Sequence, residues 1–244
     1  MSRDVVIIQA RIGSTRLPGK VLMDFAGRTV LAEVIARCAA IPGIAAVCCA
    51  IPDTAVNDPV AAEAARAGAV TVRGPEADVL ERYRLAAERT GAEAVMRVTS
   101  DCPLVDPWLC GEVLAAFHAQ GAGLAANDIR PLYPHGLGCE VFSRDWLDRA
   151  AREATAAPDR EHVSTWMLAH PDIRLAEVPG PGGADARHRW TLDTPDDYAL
   201  MTAIAAELPP PPQGWRWRAA LDVLARRPDL LETSRRLDRR EAAP

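Results

Sequence analysis

The feature of this chain that most constrains its fold is an apolar run followed directly by a basic loop that contains glycine. The run from Val5 to Ile8 has no polar residue, which is typical of a strand buried on both faces of a parallel sheet. The loop at residues 9–20 has the sequence Gln-Ala-Arg-Ile-Gly-Ser-Thr-Arg-Leu-Pro-Gly-Lys. Glycine lets backbone N–H groups approach phosphate oxygens, and Arg and Lys neutralise their charge. Because ligands of open α/β sheets collect at the carboxyl ends of strands, the loop predicts a polyphosphate site. The alternative is a basic surface loop with a Pro-Gly turn.

The spacing within this loop excludes two common phosphate-binding motifs. Five residues separate Gly13 from Gly19, and Val21 follows Lys20, whereas a Walker A motif has four residues between its glycines and a Ser or Thr after its Lys. The loop also contains no G-x-G-x-x-G sequence, so it is not the dinucleotide-binding fingerprint.

Strand and helix signals alternate through the first half of the chain. Apolar runs predict strands, and apolar residues spaced three and four apart predict helices. Strands are predicted at residues 4–10, 45–51, 69–72 and 93–98, and helices at 29–40, 58–67, 76–90 and from 107 onward. This alternation predicts an α/β protein with a mostly parallel sheet covered by helices.

The pattern changes after the first half of the chain. Residues 127–170, rich in Gly and Pro at their start and carrying two helical stretches after it, predict an inserted lobe beside the sheet. Residues 1–208 would then form the main domain, and residues 209–244 a Pro-rich spacer with a C-terminal helical extension. A length of 244 residues suits one domain with a small lobe.

Composition and charge exclude several classes of protein. The net charge of −5 argues against a general nucleic-acid-binding surface, and the C-terminal arginines are interleaved with acids, as in a solvated helix end. No apolar run approaches the length of a membrane span, and the first residues lack a signal-peptide pattern, so we expect a cytoplasmic protein with no membrane partner. The six cysteines include no C-x-x-C pair and are expected to be buried free thiols, including Cys102.

Two aspartates follow predicted strands and are candidate metal ligands. Asp101 comes soon after the strand at 93–98, and Asp193 comes directly after a strand predicted at 187–192. If the sheet is doubly wound, both carboxylates reach the edge that carries the basic loop. Mg²⁺ prefers a few carboxylates together with substrate phosphates and water, so the pair predicts a magnesium site. The alternative is that each aspartate caps the helix after it, the second of which begins at Thr194.

Two further groups are candidates for contacts with a nucleotide or an acceptor. Asp78 and Arg82 lie four residues apart on one predicted helix, so they share a face. They would contact a base or ribose, or form an exposed salt bridge. Asp159-Arg160-Glu161-His162 is predicted to start a helix, either as a group that contacts substrate or as a solvated charge run.

Six sequence blocks in this order resemble the SpsF-type (spore coat polysaccharide biosynthesis) cytidylyltransferase family. That family is similar to the CMP-Kdo, CMP-sialic acid and CMP-pseudaminic acid synthetases. The blocks are QARIGSTRLPGKVL, GPEADVLERY, RVTSDCPLVDP, YPHGLGCEVFS, DREHV and RWTLDTPDDY, and they extend from the first strand to about residue 200. The first and last blocks are the more specific.

The resemblance implies a cytidylyltransferase with a Rossmann-like, mostly parallel sheet of the nucleotide-diphospho-sugar transferase type and a small inserted lobe. Such an enzyme transfers CMP from CTP to an acidic sugar or similar anionic acceptor, releases pyrophosphate and requires Mg²⁺. The implied nucleotide site consists of Ala10, Arg11, Gly13, Ser14, Arg16, Lys20, Asp78 and Arg82, and the implied metal ligands are Asp101 and Asp193. The implied acceptor contacts are Asn127, Tyr133, His135, Glu140, Arg160, Glu161 and His162. Arg11, Lys20 and Asp101 are the expected catalytic residues, and a homodimer formed through the lobe is expected.

Three positions depart from the family pattern. The family usually has Gly where Ser100 stands here, and its Tyr-Pro-Asp-Gly-Leu-Asp sequence has His135 and Gly138 in place of the two acids. Loss of two negative charges and gain of a His favour a more anionic acceptor, such as a carboxylate or a phosphonate.

Two other functions stay open at this stage. One is a sugar-1-phosphate nucleotidyltransferase that uses UTP, GTP or ATP, which base preference would distinguish. The other is a non-catalytic nucleotide-binding relative, which metal-dependent pyrophosphate release would distinguish. The pair Asp101 and Asp193 argues against the second, because a binding protein has little need of two metal carboxylates.

Overall fold

The computed structural model describes residues 3–241 of the chain. Its strands are β1 (Asp4–Gln9), β2 (Asp24–Phe25), β3 (Arg28–Thr29), β4 (Ala46–Pro52), β5 (Val70–Gly74), β6 (Ala94–Thr99), β7 (Leu124–Ala126), β8 (Glu140–Ser143) and β9 (Leu175–Glu177). Its α-helices are α1 (Val30–Ala39), α2 (Asp58–Arg66), α3 (Val79–Thr90), α4 (Pro107–Gln120), α5 (Arg144–Glu153), α6 (Ala157–His162), α7 (Thr165–Leu168), α8 (Pro195–Glu207), α9 (Trp217–Arg226) and α10 (Pro228–Glu241).

Seven of these strands form one sheet in the order β5-β4-β1-β6-β8-β7-β9. β1 pairs in parallel with both β4 and β6, whereas β8 is antiparallel to its neighbours β6 and β7. The chain leaves β1 toward β4 and β5 and then returns to the other side of β1 as β6. The strand order therefore reverses beside β1, and open α/β sheets bind their ligands at such a reversal. The predicted α/β class with a mostly parallel sheet is confirmed.

The sheet is buried on both faces, as the apolar strand sequences predicted. Successive strand side chains point to opposite faces, so Cys48 packs with α3 on one face and Cys49 with α1 and α2 on the other. All six cysteines are buried and free, which confirms the expectation. Burial raises the pKa of Cys102 to about 12, so this residue is a packed thiol rather than a nucleophile.

The strand predicted at 187–192 is wrong. In this segment Trp190 N–H donates to the His135 carbonyl, and Leu192 N–H donates to the Asp101 carbonyl. A ladder cannot form because the hydrogen bonds go to two different parts of the chain, and only one isolated bridge, between His135 and Arg189, is present there. The segment nevertheless delivers Asp193 to the edge of the sheet, because its link to Asp101 fixes it there.

The region 127–170 contributes to the sheet as well as lying beside it. β8 lies within this range and pairs with β6 and β7 in the sheet. The helices α5, α6 and α7 follow it in the chain. The residues Asp159 to His162 were expected to start a helix, but they form the end of α6, which begins at Ala157 with Pro158 in its first turn. Proline is favoured at that first-turn position, because an N–H group there would have no partner within the helix.

The C-terminal extension packs on the body of the protein. Trp217, Val223 and Leu230 join a core cluster with Trp190 and Leu200. Helix α10 contains the segment with the C-terminal arginines, and the side chains of residues 239–244 lie outside the described part. Over the described residues, no helix combines the length and apolar character needed to cross a bilayer.

Candidate active site

A polar cleft of about 730 Å³ lies at the carboxyl edge of the sheet, where β1 and β6 end. The residues predicted from sequence that line it are Ala10, Arg11, Gly13, Ser14, Arg16, Lys20, Arg82, Asp101, Glu161 and Asp193. The further lining residues are Gln9, Thr15, Val21, Glu76, Ala77, Val79, Thr99 and Ser100. The sheet therefore brings the basic loop and both aspartates together.

The basic loop is fixed at both ends by hydrogen bonds. Ile12 N–H donates to the side-chain oxygen of Asn57 at 2.8 Å, and Gly19 N–H donates to the Ile12 carbonyl at 3.1 Å. Gly19 has φ of +71°, a left-handed conformation that glycine adopts without strain. The turn at Gly19 reverses the chain and aims the next residue, Lys20, back into the cleft.

Lys20 joins the loop to both aspartates. Its Nζ donates to Asp101 Oδ2 at 2.9 Å, to Asp193 Oδ1 at 3.0 Å and to the Leu192 carbonyl at 2.6 Å. Burial by itself would lower the pKa of Lys20, but the charges and hydrogen bonds of the two aspartates outweigh burial and raise it. The ammonium is therefore firmly charged and holds the two carboxylates within reach of one point.

Asp193 has two more cationic partners. Arg16 approaches its Oδ1 at 3.1 Å, and buried Arg189 donates to its Oδ2. Burial would raise the pKa of Asp193, but the hydrogen bond and charge of Lys20, followed by Arg16 and Arg189, lower it. Arg189 is also paired with buried Asp197 at 3.4 Å. Asp197 and Thr194 together form the capping box at the start of α8. Asp193 is thus ionised and rigidly placed.

The pair Asp101 and Asp193 fits the ligand preference of Mg²⁺. Within residues 3–241, no group of three or more His, Cys, Asp or Glu side chains is arranged to hold a metal by itself. Mg²⁺ does not need one, because it is usually bound by one or two carboxylates together with substrate phosphates and water. The two carboxylates already converge on one cation, the ammonium of Lys20.

Two arginines add positive charge to the cleft without contacting the aspartates. Arg11 is exposed at the mouth of the cleft. Arg82 is buried on α3, and its Nη1 donates to the carbonyls of Pro75 and Glu76 at 2.6 and 2.7 Å. Arg82 Nε and Gln9 Oε1 are buried and have no partner among the described residues, which is unusual for buried polar atoms and suits a site that contacts a ligand.

A family model described as cytidylyltransferase matches residues 5–174. The chain belongs to the cytidylyltransferase family. The spore coat polysaccharide biosynthesis protein SpsF of Bacillus subtilis (strain 168) is 30% identical over 212 residues, which cover 84% of this chain and 87% of that protein. The 3-deoxy-manno-octulosonate cytidylyltransferase of Anaeromyxobacter sp. (strain Fw109-5) is 35% identical over 247 residues, which cover 86% of this chain and 99% of that protein.

A solved structure supports the fold of this cytidylyltransferase. The cytidylyltransferase from Leptospira borgpetersenii serovar Hardjo-bovis (strain JB197) matches with a TM-score of 0.88 and 24% identity over 94% of this chain and 97% of that chain. The family resemblance inferred from sequence is confirmed, and the protein is a CTP-dependent nucleotidyltransferase.

Asp78 does not pair with Arg82 in this cytidylyltransferase, although the two were predicted to share a face of one helix. Its Oδ1 accepts the Glu81 N–H at 2.9 Å and so caps α3, while its Oδ2 accepts from Arg160 Nε at 2.9 Å. Arg160 also donates to the carbonyls of Ala151 and Ala154. Asp78 and Arg160 therefore connect α3 to α5 and α6, outside the lining of the cleft.

The remaining predicted acceptor contacts lie away from the cleft lining, except Glu161. Asn127 is buried and clamps its own loop, accepting from Cys139 N–H at 2.8 Å and donating to the Leu137 carbonyl at 3.0 Å. Tyr133 stacks edge-on against Trp217 of the extension. Of the others, His162 is exposed at the end of α6, the ring of His135 contacts Arg189, and buried Glu140 pairs with Arg97.

Sequence reasoning missed Gln9, Asn57, Thr99 and Arg189. Gln9 and Thr99 are the last residues of β1 and β6, and a polar residue that ends an otherwise apolar strand is a signal that could have identified them. Asn57 acts at a distance of 45 residues from Ile12, and no local pattern indicates that contact. Arg189 lies four residues before Asp193, and residues an even number apart share a face of a strand, so this spacing is a signal that could have indicated the pair.

Proposed function

We propose that this cytidylyltransferase transfers CMP from CTP to a hydroxyl oxygen of a small anionic acceptor, with release of pyrophosphate and with Mg²⁺ as cofactor. The observation that supports this most is the contact of Lys20 with both Asp101 and Asp193 beside the basic loop. A site that bound only a phosphate group would need the basic side chains of the loop. It would not need two carboxylates that converge on one point, as a metal site does.

In the proposed reaction the acceptor hydroxyl oxygen forms a bond to the α-phosphorus of CTP, and the bond from that phosphorus to the pyrophosphate oxygen breaks. The hydroxyl proton is released to water. Positioning and charge neutralisation supply most of the catalysis in such transfers. The loop N–H groups with Arg11 and Arg16 would hold the triphosphate and balance the charge that develops on the leaving pyrophosphate. Asp101 and Asp193 would hold Mg²⁺, which supplies Lewis-acid stabilisation of phosphate charge. Lys20 would orient both carboxylates.

We propose a sugar acid as the acceptor and its CMP derivative as an activated sugar for polysaccharide synthesis. The name of the 3-deoxy-manno-octulosonate cytidylyltransferase supports the class of acceptor, and the name of SpsF supports the role in polysaccharide synthesis. The exchange of an acid for His135, whose ring contacts Arg189, is consistent with an acceptor that carries a carboxylate or a phosphonate.

We also propose that the enzyme is a homodimer. Leu168 and Leu175 are 36% and 41% exposed, and Leu175 lies on the edge strand β9. A second copy that covered these residues would shield both the apolar side chains and the open strand edge. Sedimentation equilibrium should give a dimer for the wild type and a monomer for Leu175→Asp, and a monomeric wild type would contradict the proposal.

The experiment that tests the function is pyrophosphate release, with each of CTP, UTP, GTP and ATP combined with a panel of sugar acids and a phosphonate. We expect release only with CTP and a matching acceptor, and none when Mg²⁺ is removed by chelation. Asp101→Asn should reduce turnover on the order of a hundredfold, as expected for one preorganised electrostatic group. Release with another nucleotide would indicate a sugar-1-phosphate nucleotidyltransferase, and no release with any pair would indicate a binding protein.

A further inference from the structure

A second set of polar side chains lies at the carboxyl edge of the sheet, next to the cleft. Arg97 of β6 lies opposite Glu140 of β8, and Glu140 lies opposite Ala126 of β7. β6 and β7 run in the same direction because both are antiparallel to β8, so their carboxyl ends meet at one edge. Asp128 follows Ala126 by two residues, as Thr99 follows Arg97. Because Thr99 lines the cleft, Asp128 is placed level with the cleft, two strands further along the edge.

The charges of Arg97 and Glu140 are balanced within the protein. Arg97 Nη1 donates to Glu140 Oε2 at 2.9 Å, and the other oxygen of Glu140 accepts from Ser164 Oγ at 2.7 Å. The Asp128 carboxylate is therefore an additional negative charge. Over residues 3–241 it forms no ion pair and no hydrogen bond with the side chain of another residue.

The position of the Asp128 carboxylate depends on glycine at position 138, which leaves room for it. A Cβ atom added to Gly138 would lie 2.3 Å from Asp128 Oδ2, so the carboxylate occupies the space that such a side chain would need. Asn127 fixes the arrangement, because its amide holds Leu137 and Cys139 on either side of Gly138. Asp128 thus partly restores the negative charge that the family pattern has at position 138.

The residue Asp128 as a whole is exposed to solvent, but the surroundings of its carboxyl group disfavour the ionised form. Burial of the carboxyl group and the charge of Glu140 raise the pKa of Asp128 to about 6, against the opposing effect of Arg97. Within the described part of the chain, the Asp128 carboxylate has only its own backbone N–H as a donor. A carboxylate in such surroundings gains free energy when a ligand supplies a further donor. Ionisable groups with a perturbed pKa and no partner side chain occur preferentially at binding sites.

We infer that Asp128 contacts the acceptor and selects molecules with a hydroxyl or ammonium donor at the end remote from the reacting oxygen. The inference rests on the proposed function, because it extends the acceptor site from the cleft at β6 to the end of β7. Two strand spacings separate these positions, about 10 Å, so the acceptor must be long enough to reach from Asp101 to Asp128. A polyhydroxy sugar acid has both the length and the donors.

The test measures acceptor and CTP kinetics separately in Asp128→Asn and Asp128→Ala, with 3-deoxy-manno-octulosonate as the acceptor probe. Each variant should raise the KM for the acceptor about tenfold or more, as expected for loss of a hydrogen bond to a charged group, and leave the KM for CTP within twofold. Gly138→Ala should have the effect of Asp128→Ala on the acceptor KM, because its Cβ displaces the carboxylate. Asp172→Asn, an exposed site on the surface, is the matched control.

The thermal shift produced by CTP with Mg²⁺ shows whether each variant is folded. Folded variants with an unchanged acceptor KM would overturn the role of Asp128 and leave the proposed function intact. If the wild type bound CTP but released no pyrophosphate with this or any sugar acid, the proposed function and the role of Asp128 would both be overturned. An analogue of the probe that lacks its terminal hydroxyl should lose affinity for the wild type and not for Asp128→Ala, and equal losses would contradict the inference.

Discussion

Lys20 is the residue on which the geometry of the site depends. It is the only lysine in the sequence, and its ammonium contacts both Asp101 and Asp193. The side chains of these aspartates are 25% and 16% exposed, so without Lys20 two carboxylates would face each other in partly desolvated surroundings. Removing one partner of such a cluster leaves charge uncompensated, which costs free energy.

Lys20→Met should reduce kcat on the order of a hundredfold or more, because the two carboxylates lose the group that orients them. Arg152→Met, which removes a cation from the exposed face of α5, should leave kcat within twofold. Pyrophosphate release measures both. Selective ¹⁵N-lysine labelling marks Lys20 alone among side chains, and its signal should move when CTP and Mg²⁺ bind. A Lys20→Met enzyme with near-normal kcat would contradict this role.

Asp128 gives a pH-dependent prediction for stability. Its pKa is raised from 3.8 to about 6 by burial and by Glu140, with Arg97 opposing, so the folded protein binds this proton more tightly than the unfolded chain. The contribution of Asp128 to stability therefore increases as pH falls from about 6 toward 3.8. Asp128→Asn should have a higher Tm than the wild type at pH 7.5, and this difference should shrink at pH 5. A difference that did not depend on pH would count against the raised pKa.

Among the secondary-structure elements, α3 shows that two residues four apart on a helix can share a face without forming a pair. Asp78 caps α3 through Glu81 N–H and holds Arg160 of α6, so it fixes the helix that carries Arg82 into the cleft. Asp78 lies outside the cleft lining, so we expect its effect on a nucleotide to be indirect, through the position of α3.

Asp78→Asn keeps an oxygen that can cap α3 but loses the charge that pairs with Arg160. We expect a loss of stability below about 1 kcal/mol for Asp78→Asn and about 1–2 kcal/mol for Asp78→Ala, which also loses the cap. The KM for CTP should stay within twofold in the Asn variant. Urea unfolding and steady-state kinetics check these values, and a tenfold rise in that KM would place Asp78 in the nucleotide site.

The same elements show what could be predicted from the sequence. The loop after β1 and the aspartate after β6 were predicted to meet because adjacent parallel strands end at one edge, and they do. The strand expected before Asp193 was wrong because an apolar segment specifies burial but not a pairing partner. The contact of Asp78 with Arg160 was missed for a related reason. Spacing along a helix shows which residues share a face, whereas Arg160 is 82 residues away.

In the whole molecule, one buried aspartate connects the sheet domain to the C-terminal extension. Asp106 caps α4 by accepting from Trp108 N–H at 2.8 Å, and its second oxygen accepts from Trp217 N–H at 2.9 Å, at the start of α9. The sequence indicated that helices would follow the Pro-rich segment, but no local pattern showed where they would pack. That contact depends on residues 111 positions apart.

Asp106→Ala should destabilise the protein by about 2 kcal/mol, because it removes a helix cap and leaves a buried N–H group without a partner. Asp106→Asn, which keeps one acceptor oxygen, should lose less. Both folded variants should bind CTP as the wild type does, since Asp106 lies outside the cleft lining. Urea denaturation measures the loss, and equal stability of the wild type and Asp106→Ala would show that the extension is held by other contacts.

The central claim, that the loop at residues 9–20 and the pair Asp101 and Asp193 form a site for CTP with a divalent cation, is tested most directly by thermal unfolding with each of the four nucleoside triphosphates. With CTP and Mg²⁺ at about a hundred times Kd, stability should rise by about 2.7 kcal/mol and Tm by about 5–10 °C. The rise should be smaller without Mg²⁺ and similarly reduced in Asp101→Asn with Mg²⁺ at the same CTP concentration. A rise of the same size with UTP, GTP or ATP, or no rise with CTP, would contradict the claim.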